Sequence, residues 1–169
     1  RITNTGKDVV LGIDPSYTYH KHDVDKKLDL VISRRGFNTD YRSLRPEQLT
    51  EIVSVGKNIE IEQADFEFIG IAHFSEIGAR VFREVFNEFT KRKVAPFHES
   101  KSFQAAGLTD MIQELINRGY PIYGLEVRKG WREIHSKQDL ESAELELSFS
   151  LNANEAGVHD KAFQAQSTS

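Results

Sequence analysis

Residues 66–90 read FEFIGIAHFSEIGARVFREVFNEFT, and the fold class turns on how this stretch divides. Its first part, FEFIGIAHF, is almost continuously apolar, the pattern of a strand covered on both faces. Ser75 then stands where a helix cap belongs. Ile77, Val81, Phe82, Val85, Phe86 and Phe89 recur at three- and four-residue spacing up to the basic run Lys91-Arg92-Lys93, which predicts an amphipathic helix.

Working outward, DVVLGID at 8–14 is a short apolar run stopped by Pro15, and LDLVIS at 28–33 repeats the pattern. Both predict strands. Residues 17–27, charged and aromatic, form a surface excursion between them. From Glu51 to Glu62 apolar and polar residues alternate around Gly56, which predicts a hairpin or two edge segments turning near Gly56-Lys57-Asn58. Leu108, Met111, Ile112, Leu115 and Ile116 mark a second helix, closed by Gly119. PIYGLEV at 121–127 is a further strand, and a short strand at 130–134 leads to a capping box, Ser136 with Asp139, that opens a helix through about Leu147. Beyond Phe149 the chain turns small and polar. Strands and helices in this order predict an α/β domain over residues 1–149, a Rossmann-like mixed sheet with helices on its faces, followed by a polar tail or linker at 150–169.

Composition narrows the function. The 169 residues hold 22 Lys+Arg against 26 Asp+Glu, a formal net charge of −4, so the broad basic surplus of duplex-binding domains is missing and nucleic acid is not an expected partner. Residues 1–50 carry nine Lys/Arg against seven Asp/Glu, and residues 131–169 three against seven, so basic side chains gather near the excursion. The absence of Cys removes disulfides, thiolate metal sites and thiol nucleophiles together. No apolar run approaches the roughly 18 residues of a membrane span, and no signal core precedes the first strand, so the expected setting is cytoplasmic. The start at Arg1, running almost directly into a core strand, reads as that of an excised piece, whose exposed sheet edge would favour association.

Four residues stand out as candidates for chemistry. His135 lies between a strand end and a helix N-terminus, where an imidazole can ligate a cation or touch a phosphate, or be a plain turn residue. Glu67 is a charge inside an apolar strand, so it either faces solvent on an edge or points into a polar pocket. Asp110 sits in the first turn of the second helix, a placement that the helix N-terminus alone would stabilise. Trp131 can stack on a base, cover a cationic ammonium group, or simply pack. The cluster His20, Lys21, His22, Lys26 and Lys27 could form an electropositive lip for a phosphorylated substrate, although Asp23, Asp25 and Asp29 nearly cancel its charge. No G-x-S-x-G elbow, G-x-x-x-x-G-K-[ST] loop or G-x-G-x-x-G fingerprint is present.

Several segments in this order carry a resemblance: DVVLGID continuing to DKKLDLVISRR, then FEFIGIAHFSEIGARVF, then AGLTDMIQELINRGYPIYGLEV followed by GWREIHSKQDLESAE. Together they resemble the later two-thirds of sugar-nucleotide-type nucleotidyltransferases, closest to the cytidylyltransferase-like domains linked with phosphoenolpyruvate phosphomutase in phosphonate biosynthesis and to phosphocholine cytidylyltransferases. The resemblance implies a nucleotide-diphospho-sugar transferase fold, here incomplete at its N-terminus. It also implies transfer of a nucleotidyl group, CTP being the favoured donor, to a small phosphonate or phosphate such as 2-aminoethylphosphonate or phosphocholine, with a divalent metal, magnesium first. Under it Glu67, Asp110 and Trp131 become substrate-binding candidates and His135 a metal candidate. The family pattern has Asp where His135 stands, and an imidazole suits softer divalent metals or direct contact with the acceptor. The family's Gly-rich triphosphate loop would lie upstream of Arg1, so this chain is expected to supply the acceptor- and metal-side half of a site. The alternative is a noncatalytic accessory or regulatory module, with oligomerisation or fusion to another domain open in either case.

Overall fold

The computed structural model describes residues 2–17, 27–34, 49–92 and 95–128, with Trp131, Ile134, Lys137, Leu140, Glu141 and residues 143–145. His20, Lys21, His22, Lys26, His135, Ser136, Asp139 and the polar tail lie outside the described residues. The chain forms two compact units, Arg1–Lys129 and Gly130–Ser169.

In the first unit the strands are β1 (Val9–Asp14), β2 (Leu30–Ser33), β3 (Leu49–Gly56), β4 (Phe66–Phe74) and β5 (Ile122–Glu126), and the helices α1 (Glu76–Thr90) and α2 (Leu108–Asn117) both fall between β4 and β5. The five strands close into a barrel in the order β1-β4-β2-β3-β5. β1 pairs parallel with β5, Val10 opposite Tyr123; the other four pairings are antiparallel, with Val9 opposite Phe74, Leu30 opposite Glu67, Val31 opposite Val55 and Ile52 opposite Ile122.

This barrel overturns the expected open Rossmann-like sheet with helices on its faces. An open parallel sheet needs a crossover for each parallel pair, and here one pair is parallel. The antiparallel β2–β4 and β3–β5 pairings join what would have been two edges. The apolar runs misled because they do not report closure: β1 is buried along its whole length, whereas β4, expected to be covered on both faces, leaves Gly70 and Ile71 exposed. The hairpin expected at 51–62 is likewise replaced: β3 ends at Gly56, a bend follows, and Ile61–Gln63 is a 3-10 turn rather than a returning strand.

Val9, Leu11, Ile13, Val31, Ile52, Val55, Phe66 and Phe68 from the strands and Val85, Phe89, Met111, Ile112 and Leu115 from the helices share one core. Phe97 and Phe103, from the loop between the helices, wedge against Phe89 at ring separations of 4.8 and 5.6 Å. Ser75 caps α1 by accepting from the Gly78 amide at 3.1 Å, and its own amide donates to the Asp8 carbonyl at 2.8 Å, tying the helix to the chain entering β1. α1 buries Gly78, Val85 and Phe89 and leaves Ile77 and Phe86 exposed, so its apolar stripe is narrower than the spacing suggested. α2 ends as read: Gly119 takes the left-handed conformation at φ 81, and the Tyr120 amide reaches back to the Leu115 carbonyl at 3.0 Å.

In the second unit Lys137, Leu140, Glu141 and residues 143–145 are helical, with an ion pair from Lys137 to Glu141 at 3.4 Å. Trp131 and Ile134 are not in a strand, against the expectation for 130–134. Among the described residues no helix is long and apolar enough to cross a membrane.

Candidate functional site

Where β3 ends and β2 begins, two adjoining hollows of about 310 and 220 Å³ open against the N-terminal end of α2. Lys27, Asp29, Lys57, Asn58, Glu99 and Thr109 line the larger, and the smaller continues past Gly56, His98 and Gln113. They form one cleft, since Asn58, Glu99, Thr109 and Asp110 border both.

Each wall is built by a hydrogen bond between distant segments. The Thr109 hydroxyl donates to Asp29 Oδ1 at 2.8 Å, fastening α2 to the chain just before β2. Gln113 Oε1 accepts from the Val55 amide at 2.8 Å, fastening the next turn of α2 to the end of β3. The Glu99 carboxylate accepts from two successive amides, Lys57 at 2.7 Å and Asn58 at 2.9 Å, so the loop between the helices closes over the bend after β3. His98, at φ 48 in the left-handed region, places Nε2 2.9 Å from Glu114 Oε2. Arg118 donates to the other Glu114 oxygen at 2.7 Å and to Glu88 at 2.8 Å. These carboxylates hold the Arg118 guanidinium well above its ordinary value, and the Arg118 hydrogen bond holds Glu88 below the usual glutamate value.

At the mouth, the Lys57 ammonium lies 3.9 Å from Asp29 Oδ2 and is half-exposed, and Lys27 Nζ donates to Asn58 Oδ1 at 3.3 Å. The Lys27 and Lys57 ammonium groups thus stand near two amides held by Glu99 and a hydroxyl held by Asp29, so a small oxyanion would meet cations there and compete with carboxylates for the donors. Carboxylates alternate with them, so a ligand carrying both charges finds partners of both signs.

Of the four residues singled out from the sequence, Asp110 and Glu67 lie in the first unit and are not brought together. Asp110 borders the cleft but is committed inward: Oδ1 accepts from the Glu99 amide at 3.0 Å, and Oδ2 accepts from the Ser100 hydroxyl at 2.8 Å and the Gly107 amide at 3.0 Å. It anchors the 97–107 loop to the start of α2. Glu67, 3% exposed, lies opposite Asp14 in the β1–β4 register and does not line the cleft. Ile13 and Phe68, the next pair, point into the core, so strand alternation sends Asp14 and Glu67 to the other face. Tyr17, Leu28 and Leu30 cluster separately from that core, and burial first, then Asp65, Glu62 and Glu67, push the Tyr17 phenol above its ordinary value. Of the two readings left open for Glu67, burial excludes the solvent-facing one. Trp131 is half-buried in the second unit, and His135 lies outside the described residues.

Lys57, Asn58, Glu99 and Thr109 were not singled out from the sequence, and Lys27 only within the basic excursion. The bend at 56–58 was legible, but its partner Glu99 lies 42 positions away from Lys57. Among the described residues no group of three or more His, Asp or Glu side chains is placed to hold a metal ion. The chain matches no known protein family and no characterised protein.

Proposed function

We propose that this chain holds the small phosphonate or phosphate acceptor of a nucleotidyl transfer, with CTP the favoured donor and an acceptor such as 2-aminoethylphosphonate or phosphocholine. In that reaction an acceptor oxygen attacks the α-phosphorus of the triphosphate, a P–O–P linkage forms, the α–β bond breaks and pyrophosphate leaves. Such chemistry rests on positioning and charge neutralisation. The ordered segments of the sequence support the transferase half of this reading. The observation that carries the acceptor half is the cleft, where Lys27 and Lys57 face Asn58 and Thr109 with Asp29 between them. The lysines would neutralise the acceptor dianion and hold it in one orientation, and Asp29 would meet a cationic end. The described residues do not provide a metal-holding group, so no step is assigned to the metal here.

The closed barrel favours one second reading, a noncatalytic module that binds the same small anion, because nucleotides in open α/β sheets sit in a crevice outside the strand ends that a closed ring of strands does not form. Calorimetric titration separates the two. The first reading expects 2-aminoethylphosphonate or phosphocholine to bind in preference to inorganic phosphate, and binding to weaken about tenfold or more when Lys27 and Lys57 are both changed to Ala; metal-dependent binding of CTP as well would strengthen it. Binding of the acceptors no tighter than of inorganic phosphate, with silence for CTP at every magnesium or manganese concentration, leaves the binding module. Silence for all ligands, or binding indifferent to the two lysines, removes the cleft as the site.

A further inference from the structure

The seat most suited to an oxyanion in this cleft is already filled by the protein's own carboxylate. Glu99 bridges two successive backbone amides, Lys57 at 2.7 Å and Asn58 at 2.9 Å. Consecutive amides converging on one anion are how backbone bends bind phosphate oxygens. The seat is shaped from behind by Gly56, whose φ is not left-handed, yet a Cβ added there would intrude on the Glu99 carboxylate. Space, rather than backbone conformation, is what a side chain at 56 would take away. Around the seat stand Lys57 Nζ and Lys27 Nζ, neither within hydrogen-bond distance of Glu99 in the structure, with Asp29 and Asn58 as their partners. Glu99 is itself exposed, on a loop that Asp110 also anchors through the Glu99 amide, so the loop keeps one tether when the Glu99 side chain leaves.

We infer that Glu99 is a built-in placeholder, and that a phosphonate or phosphate group binds by displacing it from the Lys57 and Asn58 amides. This rests on the acceptor-binding reading above and adds its control: an incoming dianion must outcompete a tethered monoanion. A ligand with higher charge, able also to engage Lys27 and Lys57, wins that exchange, whereas a simple carboxylate gains nothing over the one in place. The cleft thereby selects for tetrahedral phosphorus oxyanions against carboxylic acids, and the displaced Glu99 is left beside the mouth, where it can face the cationic end of a zwitterionic acceptor.

The test uses the full chain and inorganic phosphate as probe, followed by calorimetry and by the backbone amide resonances of Lys57 and Asn58. Glu99→Gln, which keeps the size of the side chain, and Glu99→Ala are each expected to bind phosphate about tenfold tighter than the natural chain, about 1.4 kcal/mol. Gly56→Ala added to Glu99→Gln is expected to weaken phosphate binding about tenfold or more relative to Glu99→Gln alone, because with the carboxylate gone the new methyl group takes the seat from phosphate only. This opposite sign separates displacement from the general benefit of removing a negative charge. In the natural chain phosphate should shift the Lys57 and Asn58 amide resonances, and acetate should not. Phosphate binding in the natural chain that Glu99→Gln leaves equal or weaker overturns the placeholder and leaves the acceptor site standing. Tighter binding in Glu99→Gln with unmoved amide resonances, or left equal when Gly56→Ala is added to it, overturns it too. No phosphate binding in any of the chains removes both readings. Should Glu99→Ala fail to fold, Glu99→Gln with and without Gly56→Ala decides alone.

Discussion

Replacing Asp110 tests whether this carboxylate builds the cleft or meets its ligand. The side chain is 9% exposed and accepts three hydrogen bonds, from the Glu99 amide, the Ser100 hydroxyl and the Gly107 amide, at 2.8 to 3.0 Å. In Asp110→Ala all three donors lose their acceptor. Ser100 retains the Ala105 carbonyl at 3.3 Å and is discounted. Two backbone amides remain, each costing about 1–3 kcal/mol when a charged acceptor is removed, so the expected loss is about 2–6 kcal/mol. Asp110→Asn keeps one acceptor oxygen for Glu99 but turns an amide nitrogen toward the Gly107 N–H, and should lose about 1–2 kcal/mol. Urea unfolding followed by far-ultraviolet circular dichroism of the full chain gives both values. A thermal scan should agree at about 2–4 °C per kcal/mol for a chain of this length. Asp110→Ala within about 0.5 kcal/mol of the natural chain, the range of inconsequential surface changes, refutes the anchoring role. Asp110→Asn that leaves stability intact but abolishes acceptor binding would return Asp110 to the ligand-contacting role expected from the sequence.

Three further outcomes are expected. Gly78→Ala raises helix propensity yet should destabilise by about 1–3 kcal/mol or more, because its new methyl group meets the Asp8 carbonyl and Val9 where α1 crosses the start of β1; thermal denaturation checks the sign. Leu115→Ala, fully buried between α2 and the barrel, should cost about 2–5 kcal/mol in urea unfolding. Glu88 is held below the usual glutamate value by the hydrogen bond from Arg118. Its contribution is therefore present above the ordinary glutamate pKa and is lost as pH falls through the lowered one. Melting temperature against pH should thus fall less steeply on the acid side in Arg118→Ala than in the natural chain, and identical acid limbs would remove the Glu88–Arg118 pair as a source of pH dependence.

Much of the local structure was legible because its causes are local. Ser75 precedes an apolar stripe, and a hydroxyl at that position can reach the amide three residues on, as it does to Gly78. Gly119 follows the last apolar turn of α2 and takes the left-handed conformation that closes it. The site was far less legible. Asp29 and Thr109, whose hydrogen bond joins two walls of the cleft, are 80 positions apart, and nothing near either residue announces the other. Glu67 was recognised as anomalous because a charge in an apolar run is costly to bury. Its setting depends on Asp14 across the β1–β4 register and on Tyr17, neither of which its own neighbours in the chain specify.

By itself the sequence determined where β1, β2, β4, β5, α1 and α2 lie, since apolar period, caps and stop residues act within a few positions along the chain. Only the tertiary structure decided that the strands close on themselves. A continuous apolar run satisfies an open sheet between helices and a packed barrel equally well, and the choice is made by pairings such as Leu30 with Glu67 and Leu49 with Leu125. Those pairings depend on the combined fit of many side chains in one core. The same closure carries Lys27, Lys57, Glu99 and Thr109 to one end of the barrel, where individually ordinary surface residues line one cleft.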